Sequence, residues 1–208
     1  MKSGITFVLL LISIAVFSQQ DCFEEVNAYW KSTEFRSGNS DSNGKMDVKK
    51  FLAAENKVRD RLIGCQFPDF TVKSMDGNTI AFSELKGKVI VLNFWFKTCE
   101  PCVAEMPTLN RLVEDYKNTG VVFIAFSRDE ANQLSDFLKD HRFDYWIIPK
   151  QFDIEEKFCL LFGYPEQMVI DRKGKVRKIF TGGFTDERAM SAPYDSLQPV
   201  INTCLKEY

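Results

Sequence analysis

The chain of 208 residues carries 27 basic and 29 acidic residues, and its formal net charge at pH 7 is −2. Because the basic residues are scattered rather than clustered, neither nucleic acid nor an anionic lipid surface is expected as a partner. With 45% hydrophobic and 13% aromatic residues, the chain has ample apolar material for a packed core, and its length allows one domain with an appendage.

The first predicted element is a secretory signal peptide. Lys2 precedes an apolar run from Ile5 to Ser18, which is shorter than the about 20 residues that a membrane-spanning helix needs. Val16 and Ser18 suit the small-residue positions before a cleavage site, so residues 1–18 are predicted to be removed. The protein is therefore expected in the periplasm or elsewhere outside the cytoplasm. An uncleaved membrane anchor is the alternative.

Two amphipathic helices are predicted before the main domain, in an N-terminal extension over residues 19–63. The first covers about residues 22–37, and the second runs from Asp47 to Ile63 after a polar loop. In an antiparallel helical hairpin the start of the first helix lies beside the end of the second, which would bring Cys22 near Cys65. Outside the cytosol such a pair can form a lasting structural disulfide.

From Gly64 onward the predicted strands and helices alternate. In chain order they are a hairpin over residues 70–82, a buried strand at 89–96, a helix, a second buried strand at 121–127, a helix at about 130–141, a short strand at 145–148, a helix near 154–162, two strands flanking the turn at 171–174, and a last helix at about 194–206. This order predicts an α/β fold with a mixed central sheet over residues 64–208.

Cys99 and Cys102 form a C-x-x-C motif where an apolar strand ends and a helix begins. At a helix N-terminus the free N–H groups and the positive end of the dipole stabilise the thiolate that a redox pair requires. A zinc or iron–sulfur site would need further ligands at matched spacing, and the chain has one histidine and no second C-x-x-C. The motif therefore predicts a redox-active disulfide, with no metal and no other cofactor. An inert structural pair is the alternative.

These motifs, in this order, resemble the TlpA/ResA-like exported thiol–disulfide oxidoreductases of the thioredoxin superfamily. The resemblance covers residues 64–208 and is carried by Gly64–Phe70, by Phe94 and Trp95 ahead of the C-x-x-C motif, by Glu105–Pro107 and by Gly163–Pro165. It implies a thioredoxin-like three-layer fold with a mixed central sheet, preceded by the N-terminal helical hairpin. It also places the helices of Cys159 and Cys204 on opposite sheet faces, so both thiols are expected to be unpaired.

The resemblance further implies roles for individual residues. Cys99, exposed at the helix start, is expected to attack a substrate disulfide as a thiolate. Cys102, one turn further in and shielded, is expected to resolve the mixed disulfide that forms. Asn93 stands where thioredoxin has a buried aspartate, and it cannot ionise. Glu105, one turn after Cys102 on the same helical face, is therefore expected to accept the proton of Cys102. A surface glutamate is the alternative.

Other residues are expected to bind substrate or to support the dithiol. Pro165, if its peptide bond is cis, would face the cysteines and leave the backbone of Tyr164 to pair with a substrate peptide; an ordinary trans turn is the alternative. Trp95, Pro101 and Pro107 are expected to support the site, and Pro107 to kink the helix rather than end it.

The predicted function is the reduction of protein disulfides by the Cys99/Cys102 dithiol. Glu100 adds negative charge beside Cys99, and Pro101 lacks an N–H donor, so the thiolate should be less stabilised and the pair more reducing. The expected partners are a disulfide-bearing exported protein and a membrane or periplasmic thiol that donates electrons, and the protein is expected to be a monomer. The alternatives are a peroxiredoxin-like thiol peroxidase and a non-catalytic peptide-binding module.

Overall fold

The computed structural model describes residues 21–32, 35, 38–40, 43–151, 153–154 and 163–207. The predicted signal peptide, most of the helix predicted near 154–162 and Cys159 lie outside these residues. The described residues belong to two compact units, divided in sequence between Pro68 and Asp69. None of their helices is long and apolar enough to cross a membrane.

The N-terminal unit contains two helices, which confirms the prediction of helices ahead of the main domain. Helix α1 runs Asp21–Lys31 and helix α2 runs Val48–Leu62. The side chain of Asp47 caps α2 by accepting a hydrogen bond from the Lys50 N–H at 3.1 Å. The cap satisfies one of the backbone donors that the first turn of a helix leaves unpaired.

A disulfide and aromatic packing connect the ends of the N-terminal unit. Phe23 of α1 packs edge-on against Phe67, with 5.4 Å between the ring centroids. Cys22, at the start of α1, is bonded to Cys65, just after the end of α2, and their Cα atoms are 5.9 Å apart. The bond therefore joins the start of one helix to the end of the other.

Removing this disulfide with the double substitution Cys22→Ala/Cys65→Ala is expected to lower the free energy of unfolding by about 4 kcal/mol. The reason is the sequence separation of 43 residues between the cysteines, because the unfolded chain regains the loop entropy that the bond removes. Chemical denaturation of the oxidised wild type and of the variant measures the difference. A loss smaller than about 1 kcal/mol would contradict the expected constraint.

The second unit is built on a mixed five-stranded sheet. Its strands, after a separate antiparallel hairpin of β1 (Thr71–Lys73) and β2 (Thr79–Ala81), are β3 (Val89–Trp95), β4 (Val121–Ser127), β5 (Trp146–Ile148), β6 (Glu166–Ile170) and β7 (Val176–Thr181). The spatial order is β5-β4-β3-β6-β7; β3 is parallel to β4 and antiparallel to β6. The mixed directions confirm the predicted α/β architecture.

Three α-helices of the second unit lie among the described residues: α3 (Glu100–Asp115), α4 (Ala131–Phe137) and α5 (Ala192–Lys206). Helices α3 and α5 share one buried core with the sheet, to which Leu109, Leu197 and Val91 all belong. All residues of β3 are buried, which explains the nearly continuous apolar run that predicted this strand. The core therefore holds the N-terminus of α3 at the end of the central strand β3.

Candidate active site

The two cysteines of the C-x-x-C motif lie at the start of α3. Cys99 is the N-cap residue and Cys102 lies in the first turn. Their sulfur atoms are bonded to each other, with 5.2 Å between the Cα atoms, so the structure is that of the oxidised form. The Cys102 N–H donates a hydrogen bond to the Cys99 Sγ at 3.3 Å. Once the pair is reduced, this donor and the helix dipole favour a thiolate on Cys99.

Cys99 and Cys102 differ less in solvent exposure than expected. Cys99 is 6% exposed and Cys102 is 3% exposed in this oxidised form. The predicted contrast between an exposed Cys99 and a shielded Cys102 is therefore small. What separates the two cysteines is their position on α3, because the cap residue receives the first backbone N–H groups of the helix.

The loop between β3 and α3 is fixed by hydrogen bonds. The Cys99 N–H donates to the carbonyl of Phe96 at 3.0 Å, and the Lys97 N–H donates to Oδ2 of Asp129 at 2.7 Å. The same carboxylate oxygen accepts a hydrogen bond from the Ser127 hydroxyl at 3.1 Å. The end of β4 thus anchors the loop that carries the dithiol.

The three residues predicted to support the site lie around this loop and along α3. Trp95 is 1% exposed and packs edge-on against Phe143 at 5.6 Å. Pro101 lies in the first turn of α3, where its missing N–H removes no helical hydrogen bond. Pro107 lies inside α3, which continues to Asp115, so the alternative of a helix boundary at Pro107 is excluded.

Glu105 is buried one turn beyond Cys102, with 0% of its surface exposed. Its Oε2 accepts a hydrogen bond from Nε2 of Gln167 on β6 at 2.7 Å. Its Oε1 accepts no hydrogen bond of normal length and angle from any described residue. Burial raises the pKa of Glu105 to about 7, while Gln167 and the nearby amide of Gly183 pull that pKa down. The alternative of a surface glutamate is therefore wrong.

Gln167 and Tyr145 are buried polar neighbours of Glu105 that are not predicted from the sequence. Gln167 is 0% exposed and pairs in register with Asn93 of β3, which is 1% exposed. Directly paired residues of antiparallel strands share one sheet face. Tyr145 is also buried, and its pKa is raised well above the usual range, first by burial and then by the charge of Glu105. A polar residue inside a buried strand is the signal that could have identified Gln167.

The predicted substrate-binding residues lie beside the dithiol loop. The Tyr164–Pro165 peptide bond is cis, and Pro165 is buried. The half-buried ring of Tyr164 packs edge-on against Phe96 at 5.2 Å, and the guanidinium of Arg128 lies 4.6 Å from its centroid. Because Phe96 belongs to the loop that leads to Cys99, the structure brings Tyr164 next to this loop.

Three further cysteines lie within the described residues, and none of them is bonded to the redox pair. Cys22 and Cys65 are bonded to each other in the N-terminal unit. Cys204 on α5 is a free, buried thiol, as expected, and burial raises its pKa. Within the described part of the chain, no three His, Cys, Asp or Glu side chains are close enough together to hold a metal ion.

Comparison with known proteins identifies the family. Residues 63–179 match the AhpC/TSA family. The thiol–disulfide oxidoreductase ResA of Bacillus thuringiensis (strain Al Hakam) is 34% identical over 142 residues, which cover 66% of this chain and 79% of the relative.

Solved structures agree with this assignment. A Chlorobium tepidum protein assigned as thiol:disulfide interchange protein DsbE matches with a TM-score of 0.61 and 25% sequence identity. The match covers 69% of this chain and 97% of the Chlorobium chain. A Bacteroides thetaiotaomicron protein assigned as a protein disulfide isomerase matches with a TM-score of 0.60 and 31% sequence identity. The match covers 70% of this chain and 91% of the Bacteroides chain. The chain therefore belongs to the AhpC/TSA family and is a thiol–disulfide oxidoreductase of the ResA type with a thioredoxin-like fold.

Proposed function

We propose that this protein reduces disulfides of other proteins outside the cytoplasm. The observation that carries the proposal is the Cys99–Cys102 disulfide at the N-terminus of α3, with the buried carboxyl of Glu105 one turn further along the same helix. A dithiol with a proton acceptor of pKa about 7 is suited to thiol–disulfide exchange near neutral pH.

The reduced enzyme begins with a thiolate on Cys99. This thiolate attacks one sulfur of the substrate disulfide, the substrate S–S bond breaks, and the other substrate sulfur leaves as a thiolate. Cys102 then loses its proton to the carboxylate of Glu105 and attacks the Cys99 sulfur. The Cys99–Cys102 disulfide forms and the second substrate sulfur is released, so two electrons have passed from the enzyme to the substrate.

The cis-proline segment supplies a surface for the substrate polypeptide. The backbone of Tyr164 would pair with an extended substrate segment and bring its disulfide to Cys99. The packing of Tyr164 against Phe96 supports this role, because it ties the segment to the loop that holds the dithiol. A membrane or periplasmic thiol would return the enzyme to its reduced form, and we propose that the enzyme acts as a monomer.

The reductant role predicts a reduction potential near the about −270 mV of thioredoxin rather than the about −120 mV of a strong oxidant. Glu100 is exposed in the first turn of α3, where its charge disfavours the Cys99 thiolate. Equilibration with thiol–disulfide buffers of known potential measures the value. Glu100→Gln should shift the potential toward oxidising values, whereas Glu114→Gln, on the exposed side of the same helix, should not. A wild-type value near −120 mV would contradict the reductant role.

One pair of assays separates this proposal from its alternatives. The enzyme should reduce insulin disulfides when it is supplied with electrons, and it should consume little hydrogen peroxide. Peroxide consumption without insulin reduction would favour a thiol peroxidase, and inactivity in both assays would favour a binding module. The bond between Cys99 and Cys102 supports the reductase, because a resolving cysteine three residues away is too close for the usual peroxiredoxin cycle.

Two features support a location outside the cytoplasm. The apolar run from Ile5 to Ser18 has the pattern of a signal peptide, and lasting disulfides such as Cys22–Cys65 form in oxidising compartments. The mature protein should then begin at Gln19, with the helical extension over 19–63 ahead of the thioredoxin-like domain over 64–208. The intact mass of protein from the extracytoplasmic fraction checks this; a species that retains residues 1–18 would contradict it.

A further inference from the structure

Gly182 follows β7, and its backbone is tied to the cis-proline segment. Its N–H donates a hydrogen bond to the carbonyl of Pro165 at 3.0 Å. Its φ lies outside the left-handed region, whereas the next residue, Gly183, has a φ of +110°. The backbone conformation therefore requires glycine at 183 but not at 182. Any requirement for glycine at 182 must come from the space around it.

The space beside Gly182 is occupied by the carboxyl of Glu105. A Cβ atom on Gly182 would lie 1.7 Å from Oε1 and 2.8 Å from Cδ of Glu105, and 2.9 Å from Cγ of Pro165. Real Cβ atoms essentially never approach other heavy atoms closer than 3.0 Å. A side chain at 182 and the observed position of the carboxyl therefore exclude each other. The hydrogen bond from Gly182 to Pro165 also holds the backbone in this position.

We propose that Gly182 is a positioning residue for Glu105, because the absence of a side chain at 182 makes room for the carboxyl between α3 and Pro165. The inference rests on the proposed role of Glu105 as the proton acceptor of Cys102. In this role Gly182 acts through the position of the carboxyl and not on a reacting atom.

The groups around this carboxyl determine what its displacement would change. Gln167 approaches from β6, and the amide of Gly183 from the segment after β7; both lower the pKa of Glu105. Tyr145, just before β5, is a titratable neighbour, and the charge of Glu105 raises the pKa of Tyr145. Cys102 lies one turn earlier on α3. Moving the carboxyl away from Gln167 removes a stabilising contact to its charged form.

The test is the titration of Glu105 in the Gly182→Ala variant. Carboxyl-labelled glutamate followed by NMR in the oxidised protein gives the midpoint of Glu105 directly. We expect this midpoint to rise by about one unit or more, because the hydrogen bond from Gln167 is lost. Gly38→Ala is the matched control, since no atom of the described residues lies within 4 Å of a Cβ added at Gly38, and its φ is not left-handed. If Glu105 titrates with the same midpoint in Gly182→Ala as in the wild type, the proposal is overturned.

A second measurement separates the clash with Glu105 from a general packing defect. Gly182→Ala should lower the urea midpoint of unfolding in the wild-type background much more than in a Glu105→Ala background, where no carboxyl is present. Equal losses in both backgrounds would assign the conflict to Pro165 and overturn the proposal. If Gly182→Ala alone does not fold, a folded double variant supports the proposal and an unfolded one overturns it.

The titration uses no substrate, so it is independent of the proposed function. A wild type that reduces no disulfides would refute the reductase, and the midpoint of Glu105 in Gly182→Ala would still decide whether Gly182 positions the carboxyl. Conversely, an active enzyme with an unchanged Glu105 midpoint in the variant would retain the proposed function and lose this inference.

Discussion

Cys102→Ala is expected to accumulate mixed disulfides with substrate proteins, whereas Cys99→Ala should trap almost none and lose disulfide reductase activity to the background level. The hydrogen bond that favours a thiolate on Cys99 comes from the backbone N–H of Cys102 at 3.3 Å. Because this donor is main-chain, alanine at 102 keeps it, and the attack by Cys99 is preserved. Only the resolving thiol is lost, so the enzyme stops at the mixed disulfide.

The opposite variant leaves the less reactive thiol. In Cys99→Ala the remaining sulfur lies inside the first turn of α3, one turn from the carboxyl of Glu105. A nearby carboxylate disfavours a thiolate, so Cys102 should attack substrates poorly. In the proposed mechanism, Glu105 would accept the proton of Cys102 during resolution and would oppose its use as the first nucleophile.

Non-reducing electrophoresis followed by mass spectrometry identifies the trapped adducts. Alkylation of the reduced wild type at about pH 6 should label Cys99 first, because a larger fraction of it is thiolate. Cys204→Ala, which removes the buried free thiol of α5 and leaves the redox pair intact, is the control for labelling elsewhere. If Cys99→Ala traps the substrates, or Cys102 is labelled first, the two roles are reversed.

The position of the dithiol could be predicted from the sequence because local signals define it. A strand buried on both faces leaves a nearly continuous apolar run, and β3 shows this from Val89 to Trp95, with Asn93 as its one polar residue. The C-x-x-C motif then follows at the start of an amphipathic helix. Helix ends were less predictable: α4 stops at Phe137, although the apolar pattern suggested a helix to about 141, because the end of a helix depends on capping as well as on periodicity.

The environment of Glu105 could not be predicted, because it depends on residues distant in sequence. Helical spacing places Glu105 on the face of Cys102, but spacing alone does not show what covers that face. Its hydrogen-bond donor, Gln167, is 62 residues away along the chain. Gly182 is further still, and a glycine after a strand is typical of an ordinary turn. The proximity of all three follows from the pairing of β6 with β3 and β7 and from the packing of α3 on this sheet.

Glu105→Gln is expected to change how the stability of the oxidised protein depends on pH. The pKa of Glu105 is raised from 4.5 to about 7 in the folded protein, so between these values the folded state holds a proton that the unfolded chain has released. The free energy of unfolding should therefore fall as the pH rises from about 4.5 through about 7, by about 3 kcal/mol in total. Glutamine does not ionise, and its carbonyl can still accept the hydrogen bond from Gln167. The variant should lose this decline and be the more stable protein at pH 8.

The same substitution should slow the resolving step, because a positioned general base contributes about 10²- to 10⁴-fold. Cys99 can be loaded with thionitrobenzoate, so that attack by Cys102 releases the coloured thiol and its rate is followed directly. The wild-type rate should rise through an inflection near pH 7, where Glu105 loses its proton. Glu105→Gln should react about a hundredfold more slowly at pH 8 and lack this inflection. Glu114→Gln makes the same change on α3 at a side chain that is 69% exposed, and it should behave like the wild type. If the inflection near pH 7 persists in Glu105→Gln, another group accepts the proton of Cys102.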